Sequence, residues 1–156
     1  MLKYVNYGVV FQEIPCETTL SINISHCPIH CLGCHSKYLW DDIGSPLDVH
    51  SLDNLLKEYG SDITCVCFMG GDIDPETINS LAYHVKAEYP NLKVGWYSGY
   101  NHISPWVSLL NLDYVKLGPY NMKLGGLKSP ATNQRLYKID KHGNMEDITS
   151  MFWNAK

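Results

Sequence analysis

Three cysteines stand close together in the stretch Cys27-Pro28-Ile29-His30-Cys31-Leu32-Gly33-Cys34-His35. Their C-x-x-x-C-x-x-C spacing places three soft thiolate donors in one short segment, one fewer than the four-thiolate shell of an ordinary iron–sulfur cluster. A 4Fe-4S cluster held by three thiolates keeps one iron open to a further ligand, much as catalytic zinc sites keep one coordination position open. Pro28 and Gly33 work against a helical reading of the spacing and point to a loop wrapped around a metal. The same cysteines could instead hold a structural zinc completed by His26, His30 or His35, which would make a protein-interaction module without catalysis.

A second signal is Met69-Gly70-Gly71-Asp72. Two glycines permit a tight turn and a close approach of a ligand to the backbone, and Asp72 can accept hydrogen bonds or offset a cation. Tyr97-Ser98-Gly99 repeats the arrangement further on. Cys65 and Cys67 alternate within an apolar run and read as core-packing thiols on one face of a strand.

The elements that must position these residues follow from periodicity. Residues 4–11 and 18–24 read as strands, the second alternating Leu20, Ile22 and Ile24 with polar residues and running straight into Cys27. Leu52, Leu55, Leu56 and Tyr59 recur at helical spacing, with Asp48 or Ser51 as N-cap and Gly60 as stop. The apolar run of residues 63–69 suits a strand buried on both faces. Asp74 and Pro75 open a second helix that Pro90 ends. Residues 92–97 and 114–117 read as strands flanking a short helical pattern at 106–110, and 136–139 as one strand in a loop-rich tail. This alternation predicts an α/β fold: a mainly parallel sheet with right-handed crossovers, curved into an open fragment of a barrel. Both glycine turns and the cysteine loop then fall at carboxyl ends of strands, where α/β folds place their chemistry.

The 156-residue chain is expected to form one domain, residues 1–156, with a core over about residues 15–118 and a loop-rich segment over 119–156. A net charge of −4 and only scattered Lys and Arg give no electrostatic footprint for nucleic acid or an anionic membrane. No apolar run approaches the ~20 residues of a membrane span, and the first residues lack the apolar core of a signal peptide, so a cytoplasmic protein is expected. Six cysteines are too few for a disulfide scaffold of this length, which favours metal or redox roles for the clustered three.

The cysteine pattern after one strand and Gly-Gly-acid after another resembles the radical S-adenosylmethionine superfamily. Within it, CPIHCLGCHSKYLWD, MGGDIDP, WYSGY, DYVKLGPY and SPATNQRLY, in that order over nearly the whole chain, are similar to the anaerobic ribonucleotide reductase activating proteins. The resemblance implies a truncated, laterally open (β/α) barrel of the radical S-adenosylmethionine type. It implies that Cys27, Cys31 and Cys34 hold a 4Fe-4S cluster whose open iron chelates S-adenosylmethionine. Gly70, Gly71 and Asp72 would receive the methionine end. Gly33 and His35 would flank the adenosyl group on either side of Cys34, which thereby joins the cofactor contacts, and Ser98 would lie close by. One electron would cleave the cofactor to a 5'-deoxyadenosyl radical, and this would take a hydrogen from a glycine of the large subunit of the anaerobic reductase. The electron donor implied is of flavodoxin or ferredoxin type. Another glycyl-radical enzyme is the alternative target. His26 and Cys16 depart from the pattern, standing where glycine is more usual, and Lys116-Leu117 replaces an acid before Gly118; no catalytic residue is assigned there.

Overall fold

The computed structural model describes residues 1–153, which fold around one eight-stranded sheet. Its strands are β1 (Leu2–Val10), β2 (Thr19–Ile24), β3 (Ser45–Leu47), β4 (Cys65–Met69), β5 (Lys93–Tyr97), β6 (Tyr114–Leu117), β7 (Arg135–Ile139) and β8 (Met145–Asp147). Helices α1 (Val49–Tyr59) and α2 (Pro75–Glu88) precede β4 and β5. Across the sheet the order is β3-β1-β2-β4-β5-β6-β7-β8. The middle strands β2, β4, β5 and β6 are parallel, whereas β1 and β7 flank them antiparallel, and the edge strands β3 and β8 pair antiparallel with β1 and β7.

This corrects the expected fold. Three of the seven strand pairings are parallel, so the sheet is mixed rather than mainly parallel, and two short helices do not make a (β/α) barrel of the radical S-adenosylmethionine type, truncated or otherwise. Two physical reasons account for the difference. The link between β1 and β2, residues 11–18, is too short for a parallel crossover, which needs about a dozen residues or more, so the two strands form a hairpin. The helix expected at residues 106–110 shrinks to a 3-10 turn, Leu109–Asn111. Trp106 and Leu110 are each 61% exposed, so that segment has no apolar stripe to bury.

The helices that do form follow their caps. Asp48 accepts from the Ser51 N–H at 2.9 Å while the Ser51 hydroxyl accepts from the Asp48 N–H at 3.0 Å, closing a capping box, and Gly60 ends α1. Asp74 accepts from the Thr77 N–H and hydroxyl with Pro75 at the first helical position. Leu52, Leu55 and Leu56 of α1 and Ile78, Leu81 and Val85 of α2 pack with Val66, Phe68, Val94 and Trp96 of the sheet in the main core. Burial of each such side chain contributes about 1.5–3 kcal/mol. Alternation along β4 sends Cys65 and Cys67 to the opposite face, into a smaller cluster with Ile14, Tyr114, Leu136 and Ile148. Leu127 and Phe152 of the C-terminal segment cover that face in place of helices. Burial pushes both thiols up and keeps them neutral, as core packing requires.

Candidate metal centre

β2 delivers the chain directly to the cysteine loop, and backbone bonds pin its start. The N–H of His26 donates to the Asp41 carbonyl at 3.0 Å and that of Cys27 to the Leu39 carbonyl at 2.9 Å. Leu39 is buried in a 3-10 turn, Lys37–Trp40, and the Trp40 ring stacks on His30 with centroids 4.5 Å apart. Further along, the Cys34 N–H donates to the Cys31 carbonyl at 3.1 Å, and the Cys34 sulfur accepts from the Ser36 N–H at 3.3 Å. Gly33 takes φ +77°, and a Cβ there would stand 2.9 Å from Cβ of Met122, so this turn excludes a side chain. Cys27, Cys31 and Cys34 are free thiols of intermediate exposure.

The two glycine turns form one corner beside this loop. Gly70 has φ +112° and Gly71 φ +94°, and a Cβ on Gly71 would meet Cδ1 of Ile78 at 2.6 Å. The glycine at 71 is therefore demanded by helix packing as well as by the turn. The Gly70 N–H donates to the Tyr97 carbonyl at 3.1 Å, and the Gly70 carbonyl accepts from Trp96 Nε1 at 2.7 Å. Asp72 places one carboxylate oxygen 2.6 Å from the Ser98 hydroxyl and the other 2.8 Å from the Gly99 N–H. Ile29 of the cysteine loop packs so closely on Gly99 that a Cβ there would lie 2.7 Å from its Cγ1. The fold thus brings together Asp72, Ser98 and the cysteine loop.

His35 faces elsewhere. Its ring lies 5.3 Å from that of Tyr120, and it lines a cavity of about 380 Å³ with Tyr97, Glu13 and Lys128. Asp72 and Ser98 line a different cavity of about 500 Å³, with Trp96, Tyr100 and His102. Of the expected cofactor contacts, His35 lines one of these cavities and Asp72 and Ser98 the other.

Two features escaped the sequence reading. Cys16 and His26 have φ +68° and +61°, the left-handed region in which glycine is unstrained; their departure from glycine is thus a matter of backbone conformation. Lys116 is only 7% exposed. Its side chain follows Tyr114 onto the face of Cys67 and Tyr97, and its ammonium donates to the Gly118 carbonyl at 3.1 Å and sits 5.5 Å from the Tyr97 ring centre. Burial pushes its pKa down to about 8, against the opposing pull of Asp72 and then of Cys31, Cys67 and Cys27. The available signal was a lysine between apolar neighbours in a four-residue central strand, Tyr114–Leu117.

The family of 4Fe-4S single cluster domains matches residues 17–115, more than half of the 156-residue chain, and the chain belongs to it. No curated protein and no solved structure matches the chain. The matched span contains the cysteine loop and both glycine turns and stops one residue before Lys116. The donor chemistry of the loop fits the group: three unpaired soft thiols lie within one turn-rich segment. Among the described residues no three His, Cys, Asp or Glu side chains stand close enough together to hold a metal ion. Thiolates binding separate irons of a cluster stand further apart than ligands crowded around one zinc. Among the described residues no helix is long and apolar enough to cross a membrane.

Proposed function

We propose that this iron–sulfur protein is a radical S-adenosylmethionine activase that installs a glycyl radical on the large subunit of an anaerobic ribonucleotide reductase. The observation that carries the reading is the seating of the three-cysteine loop, through Ile29, on the corner where Asp72 bridges Ser98 and Gly99. When bound, the cluster and S-adenosylmethionine supply one-electron cleavage of the sulfonium, giving methionine and a 5'-deoxyadenosyl radical that takes a glycine hydrogen.

The chain's own residues orient and enclose. Cys27, Cys31 and Cys34 would hold the cluster as its three thiolate ligands. Gly70, Gly71 and Asp72 receive the methionine end, with Ser98 and Gly99 fixing the Asp72 carboxylate. Gly33 and His35 flank the adenosyl group. The electron comes from a donor of flavodoxin or ferredoxin type. Leu32 and Met122, 78% and 55% exposed beside the loop, provide apolar surface for an incoming protein segment. The ordered motifs from CPIHCLGCHSKYLWD to SPATNQRLY support the reductase as that protein.

The test is to incubate the anaerobically reconstituted protein with S-adenosylmethionine, a strong reductant and the reductase, and to record electron paramagnetic resonance. A glycyl doublet on the reductase is the expected result. Formation of 5'-deoxyadenosine without the doublet would move the target to another glycyl-radical enzyme or a small molecule.

A further inference from the structure

Lysine is almost never fully buried unless it is paired, and Lys116 has no carboxylate within ion-pair distance among the described residues. The carboxylate that acts on it most strongly, Asp72, already has both oxygens engaged by Ser98 and Gly99. Of the three ammonium donors, one is taken up by the Gly118 carbonyl. The strand register sets Lys116 beside Tyr97, and Tyr97 beside Met69, in a row across the carboxyl ends of β6, β5 and β4. The Tyr97 ring beside the ammonium lines the same cavity as His35 of the cysteine loop, and after Asp72 the charges acting on Lys116 are, in order, those of Cys31, Cys67 and Cys27. Cys67 is a neutral buried thiol, so the anionic partners are Asp72 and, once they hold a cluster, the loop cysteines.

We propose that Lys116 is an electrostatic positioning residue whose ammonium serves as the internal counter-charge to the thiolate-bound cluster and sets its reduction potential. The inference rests on the cluster being held by Cys27, Cys31 and Cys34, and not on the reaction proposed for it. Three thiolates outweigh a doubly positive 4Fe-4S core, so the assembly is anionic and becomes more so when it accepts an electron from a reductant. A fixed cation nearby favours the more anionic, reduced form and raises the potential; a low-dielectric surrounding strengthens the effect. An entirely apolar shell would leave the cluster harder to reduce, and Lys116 offsets that from its buried position.

The experiment compares wild type, Lys116→Met and Lys116→Arg, each reconstituted anaerobically with iron and sulfide. Iron and sulfide are counted, and the cluster is titrated with dithionite and mediators by electron paramagnetic resonance. Equal iron content is expected in all three. At a poise matching the wild-type midpoint, the Met variant should show at least a tenfold lower reduced-to-oxidised ratio, equivalent to about 59 mV for a one-electron couple. The Arg variant should stay within about threefold of wild type, since it keeps the charge. Coincident titrations of wild type and Lys116→Met, with clusters present in both, would overturn the role of Lys116 alone. Failure of wild type to take up iron would overturn the cluster assignment and this inference with it. Should the Met variant not load, Lys116→Gln, neutral and polar, carries the same two outcomes.

Discussion

The carboxylate of Asp72 and the hydroxyl of Ser98 meet at 2.6 Å, joining the turn after β4 to the turn after β5. The second Asp72 oxygen accepts from the Gly99 N–H, and Gly99 in turn carries Ile29 of the cysteine loop. One side chain thus links two strand ends and seats the loop whose thiols could hold the cluster.

Removing the Ser98 hydroxyl tests that link. Ser98 is 1% exposed and its bond to Asp72 is charge-assisted, so Ser98→Ala should lose about 1.5–3 kcal/mol of stability. The measurement is the urea midpoint of the metal-free protein, and an unchanged midpoint would show that the bond holds nothing.

Gly71 separates a packing role from a cofactor role. Alanine there combines φ +94° with a Cβ 2.6 Å from Ile78 Cδ1, and Gly71→Ala should cost about 2–4 kcal/mol. Adding Ile78→Ala removes both clashing atoms, Cδ1 at 2.6 Å and Cγ1 at 2.8 Å, and should recover part of that loss in a double-mutant cycle. Strict additivity of the two changes would exclude the clash as its cause.

Glycine at Cys16 or His26 should stabilise the fold. A left-handed conformation costs a residue bearing Cβ about 1–2 kcal/mol, and the extra unfolded-state freedom of glycine returns about 0.5–1 kcal/mol of that. Cys16→Gly and His26→Gly should therefore each gain roughly 0.5–1 kcal/mol in chemical denaturation of the metal-free chain.

Lys116 gives the metal-free protein a distinct pH dependence. Its native pKa of about 8 lies below the ordinary lysine value of 10.5, so the unfolded chain binds this proton more tightly and stability from this group rises with pH between those values. Below about pH 8 the buried charge costs up to roughly 3 kcal/mol. Lys116→Met should be more stable than wild type at pH 7, with the difference fading from pH 8 towards 10.5. Asp72, Cys27, Cys31, Cys67 and Tyr97 face the same region, so the wild-type-minus-variant difference is the quantity to plot. A difference independent of pH would contradict the assignment.

Local chemistry carried much of the fold into view. Asp74-Pro75, Asp48 and Gly60 mark helix ends because capping is decided within a few residues, and the short apolar run around Cys65–Met69, closed by two glycines, suits a buried strand. Strand direction is not local, which is why the antiparallel flanks were missed. β3 (Ser45–Leu47) and β8 (Met145–Asp147) are three-residue edge strands that exist through their pairing with β1 and β7, and neither has an alternating pattern of its own to announce it. The cysteine spacing and Gly70-Gly71-Asp72 were legible because their residue types are rare in combination. The union of Asp72 with Ser98, the strain at Cys16 and His26, and the burial of Lys116 depend on neighbours distant in sequence.

The most direct test of the whole account is anaerobic reconstitution of the intact chain with iron and sulfide, followed by S-adenosylmethionine and a strong reductant, with iron, sulfide and 5'-deoxyadenosine measured together. The account predicts a coloured protein with about four irons per chain that releases 5'-deoxyadenosine, and loss of both on Cys31→Ala. A colourless protein, or a loaded cluster that yields no 5'-deoxyadenosine, would contradict it.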